Sequence, residues 1–427
     1  MSEKLKEELK QIVDEAQKRL DLETAQNPAL QKAIQIVENF LRKTGRVCYG
    51  GQAINAQLPE KDQFYDPEIS LPDYDFFSPN AVQDIKALIV DLQAAGYTEI
   101  SKRIGIHEGT TKIYVNYAAI ADITQLIPEF YDSIYKESVV VKGIHYTDPL
   151  FLKMLMYLEL SRPRGQVDRW IKVYERLQKL EMAYPLKRCS NRSPALFEDE
   201  YSARARAHLV KYMIANRRAF MGGDVQALYK QSGYGRSAAS RTDFLLHGSA
   251  PVIFLSPDAE LDGDRLASDL HARKVSIDGY QNMLPALVAL YRENHLIGLI
   301  VQEEACHSII TLPLTKHRIL RIASIDTLLT FFIGLYYRES SLVMTKEALL
   351  CWIRELIELS KRYREKPNQR FPAFSLECSG YQTTFASLLK AKAARIEADR
   401  QQLSSGVRVT RKSKSKIRQR TMKTRDH

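Results

Sequence analysis

Apolar positions recur at helical spacing over the first 45 residues and then change period. Leu30, Ile34, Val37 and Leu41 fall on one face at intervals of three and four. Asn27 before Pro28 marks the start of that helix, and Gly45 marks its end. Residues 1–45 are therefore predicted as two helices, a packing appendage. From Val47 the chain alternates short apolar runs with turns and helical stretches. Val47 to Tyr49 reads as a buried strand, and Gln52 to Leu58 as the start of a helix. Asn80 to about Ala95 reads as a helix with Asn80 as its cap, and residues 97–127 alternate like strands. Asp148 followed by Pro149 has the form of a helix N-terminus, so Asp148 is read as a cap. Lys153 lies one turn into that helix, amid apolar neighbours, and RPRGQVDRWIKVYERLQKL continues the helical layer.

The second half repeats the landmarks of the first in the same order. CYGGQAIN from Cys48 is echoed by FMGGDVQALY from Phe220. DFFSPNAVQDIKALIVDL from Asp75 is echoed by IFLSPDAELDGDRLASDL from Ile253. AIADITQL is echoed by HSIITLPL, and YTDPLFLKMLMYLEL by SIDTLLTFFIGLYYR. The shared order predicts two tandem copies of one α/β unit. This alignment sets Asp73 against Pro251, Asp75 against Ile253 and Asp122 against Ile309. Three acids become non-acids while the surrounding pattern persists. Carboxylates that the fold needed would have been kept, so these three read as function in the first copy.

Their placement points to the chemistry. LPDYDFFSP, from Leu71 to Pro79, puts Asp73 and Asp75 two residues apart on an apolar strand. Residues i and i+2 of a strand share a face. Two adjacent carboxylates repel, and burying them unpaired is costly, a conflict that a divalent metal resolves. A turn built on Pro72 and Asp73 is the competing reading, and on this stretch alone the two stand level. Asp122, inside AAIADITQL, is a third acid on an apolar strand; an aspartate bonded to backbone at a strand end is its bland alternative. Gly50-Gly51, between a strand and a helix start, forms a place where backbone N–H groups can meet a phosphate.

Composition narrows the class. The chain has 427 residues, 45% hydrophobic and 26% charged, which suits a globular protein of two or three domains. No apolar run is long enough to cross a bilayer, and the charged start MSEKLKEELKQIVDEAQKRL is not a secretory signal. Cys48, Cys189, Cys306, Cys351 and Cys378 are scattered without a C-x-x-C pair. They are read as reduced thiols of an intracellular protein, neither a disulfide frame nor a zinc site. The net charge is +11, and most of it sits at the end: the last twenty residues carry nine Lys and Arg against Asp426. Such a tail is expected to be disordered and to contact nucleic acid; a solvated tail or a localisation signal is the alternative.

Gly-Gly, then Asp-x-Asp, then a lone aspartate on a later strand resembles the nucleotidyltransferase superfamily of DNA polymerase β type. YGGQAIN, LPDYDFFSP and RWIKVYERL resemble more particularly the poly(A) polymerase catalytic subunits of poxviruses and other large DNA viruses, over about residues 45–390. One departure is the 21 residues, 52–72, between the glycines and Asp-x-Asp, where the superfamily has a short gap. The resemblance implies an α/β (α+β) fold with two nucleotidyltransferase-like domains, at 46–185 and 186–390. The second would be a non-catalytic pseudo-copy; helices at 1–45 and a basic tail at 391–427 would flank the pair. It implies transfer of AMP from ATP to the 3′ end of mRNA with release of pyrophosphate. Asp73, Asp75 and Asp122 would hold two Mg²⁺ or Mn²⁺ ions, Gly50 and Gly51 would cradle the triphosphate, and Lys153 would neutralise it. It further implies either homodimerisation or a separate processivity subunit, no membrane, and a place in the host cytoplasm (the viral factory) and the virion. The residues alone do not fix the base. A uridylyltransferase, a second-messenger synthase and a non-enzymatic RNA-binding subunit are the alternatives.

Overall fold

The structure, a computed structural model, describes residues 3–66, 69, 71–106, 109–187, 200–231, 251–280, 283–314, 317–338, 345–367 and 371–405. Two N-terminal helices, α1 (Glu3–Ala25) and α2 (Pro28–Thr44), open the chain. Asn27 caps α2 by accepting from the N–H groups of Ala29 and Leu30, and Gly45 ends it in the left-handed region at φ 63°. α2 buries the stripe read from the sequence, including Leu30, Ile34, Val37 and Leu41, whereas α1 buries only Ala25.

The first unit follows as β1 (Val47–Tyr49), α3 (Gly50–Gln57), β2 (Tyr74–Ser78), α4 (Ala81–Ala94), β3 (Ile100–Ile104), β4 (Thr110–Val115), β5 (Ala118–Gln125), α5 (Pro128–Lys136), β6 (Val139–Val141), β7 (Ile144–Tyr146), α6 (Pro149–Leu160) and α7 (Trp170–Ala183). The second contains α8 (Glu200–Ala215), β8 (Ala219–Phe220), α9 (Gly223–Gln231), β9 (Val252–Ser256), α10 (Ala259–Asp269), β10 (Arg273–Ile277), β11 (Leu287–Arg292), β12 (His295–Gln302), β13 (His307–Pro313), β14 (Ile319–Ala323), α11 (Ile325–Tyr336), α12 (Lys346–Glu365), β15 (Cys378–Ser379) and α13 (Phe385–Ser405). The fold is α+β with two sheets.

The sheets run β3-β4-β5-β2-β1-β7-β6 and β10-β11-β12-β9-β8-β14-β13-β15, so the second repeats the order of the first and adds β15. Buried bonds repeat as well. Arg46 Nε donates to Asp84 at 2.6 Å, and Arg218 Nε donates to Asp262 at 2.7 Å. Gln125 Oε1 accepts from the Ala81 N–H at 2.7 Å, and Gln302 Oε1 from the Ala259 N–H at 2.9 Å. α6 and α11 pack against each other and join the units into one core. The α6 cap Asp148 accepts from the α6 N–H groups of Leu150 and Phe151 and also from the Tyr337 hydroxyl at 2.6 Å. Among the described residues no helix is long and apolar enough to cross a membrane.

Four expectations need correction. The counterpart of β5 is β12, HLIGLIVQ, and not HSIITLPL; Asp122 therefore stands against Leu299, not Ile309. The substitution of acid by apolar residue survives, but the aligned strand is a different one. Asn80 precedes α4 without capping it by its side chain; Gln125 from β5 takes that N–H instead. The thiols are not all reduced: Cys306 and Cys378 form a disulfide, because β13–β15 pairing brings together residues 72 apart in sequence. Cys351 is also disulfide-bonded, and Cys48 is free and buried. Residues 391–405, assigned to the tail, continue α13 as helix. The basic stretch from Arg408 onward lies outside the described residues.

Candidate active site

One face of the first sheet carries the acids and the other packs on helices. Tyr74 and Phe76 of β2 and Ala121 and Ile123 of β5 point into the core, and α2 and α4 pack on these strands. The alternate residues, Asp75 and Asp122, therefore share the opposite face. β2 and β5 run parallel and set Asp75 beside Asp122. Asp73 lies just before the strand and keeps an exposed surface.

The carboxylates disturb one another. Burial, then Asp73, then Asp122 push the Asp75 carboxyl up to about 7, against the pull of Lys112 and Arg169. Desolvation and the Asp122 charge push Asp73 up to about 6. Lys112 of β4 is the register partner of Asp122 and donates to its Oδ2. Burial works against the Lys112 ammonium, but the hydrogen bond and charge of Asp122, with Asp73 and Asp75, hold its pKa above the usual lysine value. Asp122 Oδ1 is buried and has no hydrogen-bond partner among the described residues.

Beside the acids is the Gly-Gly turn. Gly50 has φ 75°, and a methyl group there would run into Asp75 Oδ2. α3 starts at Gly50 without a side-chain cap on its N–H groups. A methyl at Gly51 would come within 2.6 Å of the Tyr65 hydroxyl and 2.9 Å of an Arg176 nitrogen. Both glycines thus keep the backbone bare where α3 begins. The 52–72 segment does not separate the glycines from the acids. Its residues 55–65 fold back, Asn55 Oδ1 accepting from the Phe64 and Tyr65 N–H groups at 2.7 and 3.0 Å. Arg176 Nη2 donates to the Tyr65 hydroxyl at 2.9 Å, and its guanidinium lies 4.3 Å from the Phe64 ring centroid.

The structure brings Asp73, Asp75, Asp122, Gly50 and Gly51 together and leaves Lys153 out. Lys153 is buried within α6 and donates to the Tyr184 carbonyl at 2.6 Å. Burial lowers its pKa to about 8, only partly offset by Glu181. The reason is register on the helix: one turn past Asp148, the side chain points between α6 and α7. The cations that do face the site were not singled out in the sequence. Arg169 and Arg176 lie within the RWIKVYERL stretch, and Lys112 is recognisable only through strand pairing.

An orphaned carboxylate oxygen beside two carboxylates with raised pKa values is a donor set that suits a hard divalent cation. The side chains are not gathered around such an ion: among the described residues no group of three His, Cys, Asp or Glu stands ready to hold a metal, and Lys112 occupies Asp122.

Residues 35–166 match the family model described as Poly(A) polymerase catalytic subunit. The resemblance read from YGGQAIN and LPDYDFFSP is borne out there, and RWIKVYERL follows just after the matched residues. A protein of Acanthamoeba polyphaga mimivirus, named as a candidate poly(A) polymerase catalytic subunit, is 33% identical over 159 residues. That is 36% of this chain and 26% of the mimivirus protein. A protein of African swine fever virus with the same description is 28% identical over 163 residues, 37% of this chain and 34% of that one. The match thus spans about a quarter to a third of the length of these curated relatives. The crystal structure of the Megavirus polyadenylate synthase matches the fold with a TM-score of 0.77, covering 100% of this chain and 91% of that one at 18% identity.

Proposed function

We propose that this protein is a template-independent polynucleotide adenylyltransferase that adds AMP from ATP to the 3′ end of mRNA. The observation that carries the reading is the meeting of Asp73, Asp75 and Asp122 beside the bare N-terminus of α3, within the segment that matches the family. In the reaction the RNA 3′-oxygen forms a bond to the α-phosphorus of ATP, and the bond to pyrophosphate breaks. The 3′-hydroxyl proton is lost, and pyrophosphate carries the negative charge away.

The residues divide this work. The α3 N–H groups at Gly50 and Gly51 donate to triphosphate oxygens, and the helix dipole favours the anion. Arg176, fixed by Tyr65 and Phe64, adds a cation at the same place. Asp73, Asp75 and Asp122 would hold two Mg²⁺ or Mn²⁺ ions, which supply Lewis-acid activation of the 3′-hydroxyl and neutralise phosphate charge. Lys112 pairs with Asp122 and would be displaced from it by such an ion.

The second sheet supports a non-catalytic copy of the same unit. Its order repeats that of the first, while Pro251, Ile253 and Leu299 stand where the acids would be. The units are assigned as 46–185 and 186–390. The relatives are described as catalytic subunits, so a processivity partner belongs to this reading, with homodimerisation as its alternative. The place of action is the host cytoplasm and the virion.

The test offers ATP, GTP, CTP and UTP separately to the full chain with an RNA primer and Mg²⁺ or Mn²⁺. Extension with ATP alone, lost in Asp75→Ala, is the expected result. Extension with another base would retain the mechanism and overturn the adenylyl assignment. RNA binding without extension would favour an inert RNA-binding subunit.

A further inference from the structure

Strand pairing places five residues in one row across the first sheet. Arg103 of β3 pairs with Lys112 of β4, Lys112 with Asp122 of β5, Asp122 with Asp75 of β2, and Asp75 with Tyr49 of β1. Register partners share a face, so the row reads cation, cation, carboxylate, carboxylate, aromatic. Gly50 follows Tyr49 directly, so the row has a phosphate-accepting turn at one end and Arg103 at the other. The same row of the second sheet is Val275, Ala289, Leu299 and Ile253, ending at Met221, whose N–H bonds the Ile253 carbonyl. It is apolar throughout. The charges thus accompany the acids and are not a demand of the sheet.

The Arg103 end is open. β3 is the edge of the sheet, and Ser101, Lys102 and Arg103 are exposed. The Arg103 guanidinium lies 4.4 Å from the Tyr114 ring centroid. Stacking alone would be only a packing device, since the second sheet keeps one: Arg273 lies 4.8 Å from the Tyr291 centroid. Arg273, however, pairs with Tyr291 two residues from the row, and Val275 takes the row position. What the first sheet has in addition is a cation aligned with the carboxylates.

Lys112 is engaged by Asp122, which leaves Arg103 as the outward cation of the row. It stands two strand spacings, about 10 Å, from the Asp122 strand. With ATP at the glycine end, the second substrate must approach from elsewhere. An RNA 3′ end that brings its hydroxyl to the carboxylates trails a backbone phosphate behind each nucleotide. We propose that the RNA primer enters over the β3 edge and that Arg103 binds a backbone phosphate just behind its 3′ terminus. This inference rests on the adenylyltransferase reading above. α13 supports the same edge: Arg395 Nη2 donates to the Ile106 carbonyl at 3.1 Å, fixing the chain that follows β3. The helix that precedes the basic tail in the sequence is thereby docked on this hairpin.

The test measures binding of a labelled RNA primer by fluorescence anisotropy across a salt series, with KM values for RNA and ATP taken in parallel. Arg103→Ala is expected to weaken RNA binding about three- to tenfold and to reduce the slope of log K against log salt by about one contact. KM for RNA rises with it, while KM for ATP stays within about twofold. Arg103→Lys restores the salt slope. If Arg103→Ala melts early, Arg103→Gln, which keeps the stem on Tyr114, takes its place. Wild-type RNA affinity and slope in the variant, with the wild type active, would overturn this inference alone. A wild type that neither binds nor extends RNA would overturn the adenylyltransferase reading and this inference with it.

Discussion

Lys112 and Asp122 face each other across β4 and β5, and the ammonium donates to the carboxylate at the place where the proposed mechanism needs a divalent cation. One positive charge thus stands in for another. Replacement of Lys112 by Met is expected to leave Asp122 without its counter-charge. The metal-free protein should lose about 1–2 kcal/mol, less than a fully buried pair because the lysine side chain is 36% exposed. Mn²⁺ affinity without nucleotide should rise, read by the loss of the free-ion EPR signal, and Mn²⁺ should restore the lost melting temperature. Unchanged Mn²⁺ affinity in the variant would show that Lys112 and the metal do not compete.

Asp75 gives a pH dependence with a definite sign. Its folded pKa, raised to about 7, lies above the unfolded value near 3.8. The folded state therefore holds the proton more tightly, and stability falls as pH rises from about 4 to 7. Asp75→Asn lacks this loss. In EDTA the variant should gain on the wild type by about 1–3 kcal/mol between pH 4.5 and 8, read from urea melts at each pH. Mg²⁺ or Mn²⁺ should close the gap at pH 8 by favouring the ionised carboxylates. A pH-independent gap would mean that Asp75 is not destabilised by its neighbours.

The reach of sequence reasoning follows from what each residue contacts. Asn27, Pro28, Gly45 and Asp148 act on backbone within a few positions, so their local pattern identified the helix ends. The acids of LPDYDFFSP were conspicuous because carboxylates are rare on apolar strands. Lys112, Arg103 and Arg176 act across strand pairs or between α7 and a distant loop, and no local spacing exposes them. The misplaced third repeat has a similar cause: β12 and β13 are both apolar strands, and an Ile-Thr match outweighed the shared glutamines, Gln125 and Gln302. Those glutamines bind the turns after β2 and β9, a function visible only once the strands are paired.

Lys153 tests the separation of core from site. Its folded pKa of about 8 lies below the ordinary lysine value of 10.5 because burial disfavours the ammonium. Below pH 8 that cost is fully present; between pH 8 and 10.5 the folded state sheds the proton first and gains stability. The stability of wild type relative to Lys153→Met should therefore move in the wild type's favour by about 1–3 kcal/mol from pH 7 to pH 10. KM for ATP should stay within about twofold in the variant. A large rise in KM for ATP would return Lys153 to the triphosphate.

Gly50 couples the turn to the carboxylate, and a pair of alanine variants separates the two effects. Gly50 and Gly96 both have positive φ, 75° and 93°. A methyl at Gly96 meets nothing within 4 Å, so Gly96→Ala carries only the backbone cost, about 1–2 kcal/mol. A methyl at Gly50 carries that cost and also displaces the Asp75 carboxylate. Gly96→Ala should retain adenylyl transfer at a lower melting temperature. Gly50→Ala should lose at least about 100-fold in kcat, as misplacement of a reacting group does, and should keep RNA affinity because the β3 edge is untouched. Equal activities in the two variants would mean that Asp75 tolerates displacement, and the two-residue coupling of Gly50 to Asp75 would be structural only.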